Sequence, residues 1–278
     1  MAANWARPAF AGVDDIFKTL HYGLTVKLVS TPRHELKTCK WSELASDVLD
    51  SNPDDFDFIP VLNDADDEPR LVGLFHAADI RKRGIADGPV SSFYVPLTEE
   101  YLIGADASIL DFVVQADSRP CRLVVSGDQI VGLVTLSDLQ RLPVRVALFA
   151  LITGFEMIMT DLIRTTLPHE PAWMAMLKPT RLTKIQQEIL IAREKDAYVD
   201  ALLFTQFSDK AEIMKRLKPL AVNGPALARN LRHFESLRNK VAHANEYASS
   251  PDQAKHVCKV VRELLSMRCE IRERLNET

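Results

Sequence analysis

Cysteine is scarce and scattered. Cys39, Cys121, Cys258 and Cys269 are the four in 278 residues, and they form neither a CxxC pair nor a Cys/His cluster. Such spacing argues against a zinc site and against a disulfide framework. Glycine and proline are also few, 10 and 15 residues, which is the composition of an ordinary globular protein. The N-terminus, MAANWARPAF, lacks a basic segment followed by an apolar stretch, so no signal peptide is expected and a cytoplasmic location is. Long hydrophobic runs are missing too. The most apolar one, residues 144–159, is shorter than the roughly 20 residues a spanning helix needs. Glu156 and Asp161 interrupt or bound it, so a buried helix of a soluble protein is the expectation.

What is present is 47% apolar residues, enough for one large core or two modest ones. Net charge is only −4, but the average hides a division. Residues 1–140 carry 12 Lys and Arg against 22 Asp and Glu, a net of −10. Residues 141–278 carry 22 against 16, a net of +6. That asymmetry predicts two domains, the second better suited to a polyanion, although +6 is far from a basic arm.

Two copies of one pattern occupy the first half. Phe58–Leu62 and Leu71–Ile80 in the first copy match Arg122–Val125 and Ile130–Leu139 in the second. Each copy has a short apolar strand, a polar turn, a second strand running through a glycine, and a helix start. Gly73 and Gly132 lie 59 residues apart, as do Asp79 and Asp138. Ahead of each hairpin, Ser42–Ser51 and Ser108–Asp117 have apolar residues at helical spacing. The unit is therefore strand, helix, hairpin, helix. Thr135 and Asp138 also fit a capping box that simply opens a helix. His76 replaces the hydroxyl in the first copy and is a poor cap, yet Asp79 is kept there, which favours a ligand role for the aspartates.

This pattern, and above all the run Gly132–Leu139, resembles the CBS domain over roughly residues 22–142. The resemblance implies an α+β pair of βαββα-type repeats packed side by side. It also implies a cleft for an adenine nucleotide such as AMP or ATP, or a related adenosine compound. In the family the hydroxyl residue contacts phosphate and the aspartate three positions later holds the ribose hydroxyls. A carboxylate can accept two hydrogen bonds at once, and a helix N-terminus favours an anion. The ligand residues so implied are Thr135, Asp138, His76, Asp79, Ile103 and Arg122. His76 departs from the pattern and leaves phosphate recognition at the first site open.

From Pro143 onward no strand pattern appears. Helices are expected at 144–167, bounded by Pro143 and Pro168, and at about 180–206, 208–219, 225–247 and 252–275, making an all-α bundle. The run Leu237-Arg238-Asn239-Lys240-Val241-Ala242-His243 resembles the signature of HEPN domains over roughly residues 143–278. That resemblance implies a metal-independent ribonuclease that acts as a homodimer with no catalytic cofactor, and toxin or defence roles. Its candidate catalytic residues are Arg238, His243, Asn239 and Glu156. Histidine can move protons near neutrality and arginine can hold transition-state charge. Asn239 and His243 share a helical face, whereas Arg238 and His243 lie about 140° apart, so a composite site across two protomers is expected. Glu156, in a helix apolar on nearly every side, needs a partner, and Arg238 or His243 is the expected one, with Asp161 the second-choice acid. Lys210, Lys215, Arg216, Lys218, Arg229 and Arg232 read mostly as a solvated face. Residues 1–21 form an unassigned N-terminal segment. The alternative reading is a non-catalytic adenosine-ligand sensor whose helical domain only dimerises or recruits a partner.

Overall fold

The computed structural model describes residues 19, 21–65, 69–84, 87–195, 200–217 and 224–277. It divides into two compact units. Thr25–Asp138 form one, and the chain from Leu139 onward, with the described residues before Thr25, forms the other.

The first unit is α+β and holds two four-stranded sheets. One has the order β2 (Cys39–Lys40), β3 (Phe58–Asn63), β4 (Arg70–His76), β5 (Val95–Pro96). The other has the order β6 (Leu102–Gly104), β7 (Cys121–Ser126), β8 (Gln129–Thr135), β1 (Thr31–Pro32). Each sheet therefore consists of a parallel short strand, a hairpin, and an antiparallel edge strand taken from the segment leading into the other repeat. The hairpins share one register. Phe58 faces His76 as Cys121 faces Thr135, and Val61 faces Gly73 as Val124 faces Gly132. A bulge follows in the same place in both, after Val61 and after Val124.

Gly73 and Gly132 are required by close approach. A Cβ on Gly73 would lie 2.2 Å from the Val95 carbonyl oxygen, and one on Gly132 would lie 2.5 Å from that of Thr31. The edge strands end in proline, Pro96 opposite Gly73 and Pro32 opposite Gly132. Proline cannot donate to the ladder and so belongs on an edge.

Helices α1 (Ala45–Asp50), α2 (Ala77–Arg83) and α3 (Ile109–Val113) cover the sheets. They fall where helical spacing was expected, and Ser108 caps α3 by accepting from the Leu110 N–H. Ile59, Val61, Phe75 and Ile80 belong to the core beneath the first sheet. Leu74 packs with Cys121, Leu123 and Leu133, joining the two repeats through buried apolar contact.

The second unit contains α4 (Leu142–Thr166), α5 (Glu170–Met174), α6 (Pro179–Glu194), α7 (Phe207–Leu217), α8 (Gly224–Ala242) and α9 (Pro251–Glu277), with no strand among the described residues. α4 is central and packs against α7, α8 and α9. At 25 residues it is long and apolar enough to cross a membrane by length and composition, beyond the shorter run expected from the sequence. More than half of its most apolar stretch is buried. Phe155 lies at the junction of three helices, edge-on to Phe234 of α8 at 5.4 Å and tilted against Phe207 of α7 at 6.4 Å.

Two boundaries differ from the sequence expectation. The helix expected over 180–206 ends at Glu194, and Asp200 caps a separate turn at Ala201–Phe204. Arg164 of α4 holds Asp200 at 2.6 Å, fixing that turn by an ion pair the local sequence does not signal. The helix expected over 225–247 ends at Ala242, because Ala244 adopts φ 54° and Asn245 donates back to the Lys240 carbonyl. This is the Schellman closure, here without its usual glycine. Between the turn Leu136–Gln140 and α4, Arg141 is extended.

Candidate functional site

In the first unit, Thr135 and Asp138 are joined. The Asp138 carboxylate accepts the Thr135 N–H at 2.6 Å and its hydroxyl at 3.1 Å, while the Thr135 and Ser137 hydroxyls lie 2.7 Å apart. Asp138 is only 6% exposed. Both bonds end on Oδ2, which is the carboxylate half of the capping-box geometry that opens a helix.

The first copy differs. His76 stands with Nδ1 4.0 Å from Asp79, whose side chain is 61% exposed. The His76 Nε2 is buried without a hydrogen-bond partner, and the ring packs edge-on to Phe58 at 4.9 Å. Burial holds its pKa below the usual value, with Asp79 pulling the other way.

Ile103 is buried in β6 opposite Val124. Arg122, 4% exposed, donates from Nη2 to Gln115 at 3.1 Å, and its Nε is buried without a partner. Burial, then the charge of Arg119, press its guanidinium below the usual value. A buried arginine with unused donor capacity is suited to an anion or a carbonyl.

In the helical unit, Arg238 and Asn239 share a polar pocket of about 200 Å³ with Glu235 of α8 and Gln206, Phe207 and Ser208 at the start of α7. Arg238 Nη1 donates to Asn239 Oδ1 at 3.3 Å. The α7 wall is firmly held. Asp209, 4% exposed, accepts the Gln206 N–H at 2.9 Å, and Arg181 of α6 grips it in a bidentate pair at 2.6–3.1 Å. That pair raises the Arg181 pKa. Neither Asp209 nor Arg181 was singled out as functional in the sequence. Asp209 lies in the first turn of α7, and its cation comes from 28 residues earlier in the chain, a pairing that local sequence does not signal.

His243 lies one turn beyond Asn239, whose carbonyl accepts its N–H at 3.1 Å. Its side chain is exposed and it is not among the residues lining the pocket. Glu156 is outside the pocket as well. Its Oε1 accepts from Lys210 Nζ at 3.0 Å, and the same ammonium donates to the Thr205 carbonyl at 2.8 Å. The expected pairing of Glu156 with Arg238 or His243 is therefore corrected, because a buried lysine on α7 reaches it first. Lys210 is likewise no part of a solvated face, being 4% exposed.

Of the other basic residues, Lys215 pairs with Glu212, Arg216 and Arg229 are exposed, and Arg232 is exposed with Nε turned to the Ala228 carbonyl. Lys218 lies outside the described residues. Asp161, half-buried, is paired to Arg164 at 2.7 Å, and burial raises its pKa.

Neither a family model nor a curated protein sequence matches the chain. Solved structures of CBS domains are similar to part of it. The CBS domain of a bacterial CNNM/CorC family Mg2+ transporter in complex with ATP is 21% identical, with 47% of this chain and 94% of that one covered and a TM-score of 0.36. CBSX2 in complex with AMP is 20% identical, with 44% and 97% covered and a TM-score of 0.35. CBS domains of a transcriptional regulator from Streptococcus pneumoniae are 22% identical, with 41% and 94% covered and a TM-score of 0.33.

Proposed function

We propose that this chain is a homodimeric sensor and effector, in which a CBS-type pair within residues 25–138 binds an adenine nucleotide and a HEPN-type helical unit cuts RNA without a metal. The observation that carries the reading is the end of α8. Arg238 and Asn239 stand in a polar pocket, and His243 follows one turn later on an ordered helix end. For the first unit the support is the repeat itself, two hairpins with the same register, the same bulge and an aspartate at the same place.

The chemistry is transfer of a phosphodiester to the neighbouring ribose hydroxyl. His243 takes the proton from the 2′-oxygen as that oxygen attacks phosphorus. The 5′-oxygen leaves and receives a proton, from His243 of the second protomer or from water. Arg238 holds the charge gathering on the phosphoryl oxygens. Asn239 orients Arg238 through its side-chain oxygen. Because His243 does not line the Arg238 pocket, the two groups meet only if a second copy brings its own α8 alongside, in an isologous contact. Leu142, Val146 and Phe149, spaced along one face of α4 and 70%, 43% and 46% exposed, supply apolar surface for such a contact.

A second reading, a non-catalytic sensor whose helical unit dimerises or recruits a partner, is favoured by one observation. The acidic residue expected to serve the Arg238 and His243 site is tied to Lys210 instead.

Purified protein and a His243→Ala variant, incubated with a mixed RNA in chelator, decide between them. ATP, AMP and S-adenosylmethionine are each added in turn. Cleavage by wild type, lost in the variant and altered by one of the nucleotides, is the expected result. Cleavage that survives His243→Ala would sink the nuclease mechanism, and no cleavage under any condition would leave the binding-only sensor.

A further inference from the structure

Arg145 stands where a cation is least welcome on its own helix. α4 begins at Leu142, so Arg145 lies in its first turn, at the positive end of the helix dipole, with no acidic residue nearby in that turn to offset it. Its guanidinium reaches the opposite pole of a different helix. Nη1 donates to the carbonyls of Lys240 and Val241, each at 3.1 Å, and Nη2 donates to that of Asn245 at 2.9 Å. The first two belong to the last turn of α8, where the dipole favours a cation; the Lys240 carbonyl also accepts the Asn245 N–H, so Arg145 shares that acceptor with the closing turn.

The three acceptors bracket His243, two before it and one after. The guanidinium also sits 4.9 Å from the centre of the Tyr247 ring, and the buried Tyr247 hydroxyl donates to the Leu139 carbonyl at 2.6 Å. One planar fork therefore fixes both ends of the turn that carries the exposed imidazole. It does so around Ala244, whose left-handed φ of 54° gives that turn a local incentive to relax.

We propose that Arg145 is a positioning residue for His243, holding the turn from Ala242 to Asn245 in the conformation from which the imidazole reaches its target. The catalytic consequence rests on the ribonuclease reading. The ordering of the turn does not.

Amide hydrogen exchange and steady-state RNA cleavage on the full-length protein, Arg145→Ala and Arg145→Lys separate these parts. In Arg145→Ala the His243 and Asn245 amides exchange at least about tenfold faster, while those of Leu231, Phe234 and Leu237 are unchanged. In the same variant kcat falls on the order of tenfold with KM within about twofold, as expected for a group misplaced in the transition state rather than lost from binding. Arg145→Lys lies between wild type and Arg145→Ala in both measurements, since an ammonium can reach these carbonyls but lacks the fork. Uniformly faster exchange along α8, or none at His243 and Asn245, overturns the proposal. A loosened turn with unchanged kcat overturns its catalytic half. Absence of cleavage by wild type removes the ribonuclease reading and that catalytic half with it, while the exchange result still decides whether Arg145 orders the turn.

Discussion

A carboxylate in an apolar helix must find a cation, and for Glu156 the cation is Lys210, 6% exposed at its side chain against 21% for Glu156. Removing one member of such a pair strands the other charge, which costs more than the intact pair contributes. Lys210→Met is therefore expected to destabilise the protein by about 3 kcal/mol in urea unfolding, and Glu156→Leu combined with Lys210→Met to recover most of that loss. If the single variant is as stable as wild type, the pair is not buried in solution and Glu156 returns as a candidate for the Arg238 pocket. Glu156's need for a partner was legible in the sequence, because nearly everything around it in α4 is apolar. The partner's identity was not. Lys210 is followed within six residues by Lys215 and Arg216, and only the packing of α7 on α4 shows that the first is buried while Arg216 faces water.

The elements that came through from sequence are those whose constraints are local and repeated. Gly73 and Gly132 mark the hairpins because a neighbouring backbone leaves no room for a Cβ, and the same cause operates twice. The exchanged edge strands were not legible, since two residues such as Thr31–Pro32 carry no periodicity to read. Helix ends divide in the same way. Pro143 and Pro168 bracket α4 closely, whereas α8 stops at Ala242 without glycine or proline to announce it. Ala244 is strained there, because an L-residue in the left-handed region crowds its Cβ against the backbone. Ala244→Gly removes that strain at the cost of a more flexible unfolded chain, and at a Schellman position the relief is the larger effect. The variant is expected to gain about 0.5–1 kcal/mol, read as a rise of roughly 1–4 °C in Tm. A fall in Tm would mean that the turn is held by Arg145 and the Asn245 to Lys240 bond so firmly that no strain remains to relieve. On the proposed ribonuclease reading, a turn freed by glycine depends more on Arg145, so kcat should not rise with stability.

For the whole molecule the question is whether an event at Asp138 can be felt at His243. Ligand binding shifts an equilibrium only if it has different affinities for two arrangements, and couplings of this kind are typically about 1–3 kcal/mol. The covalent route is short. Asp138 is followed directly by Leu139, where the chain passes into the helical unit and whose carbonyl receives the Tyr247 hydroxyl at 2.6 Å, and Tyr247 lies under the guanidinium that anchors the His243 turn. A buried hydrogen bond of this sort is worth about 1 kcal/mol net, comparable to the lower end of the coupling range, so breaking it can remove much of the coupling without unfolding the protein. Tyr247→Phe deletes that hydroxyl and keeps the ring beneath Arg145. On the proposed reading, in which the first unit binds the nucleotide and the second cuts RNA, Tyr247→Phe is expected to show an undiminished rise in thermal stability on nucleotide addition. Its cleavage rate, in contrast, should respond several-fold less to the same nucleotide. Asp138→Ala is the complementary variant, losing both the thermal shift and the rate response. Tyr247→Phe responding as fully as wild type would place the coupling elsewhere, with the extended Arg141 between the Asp138 turn and α4 the next position to change.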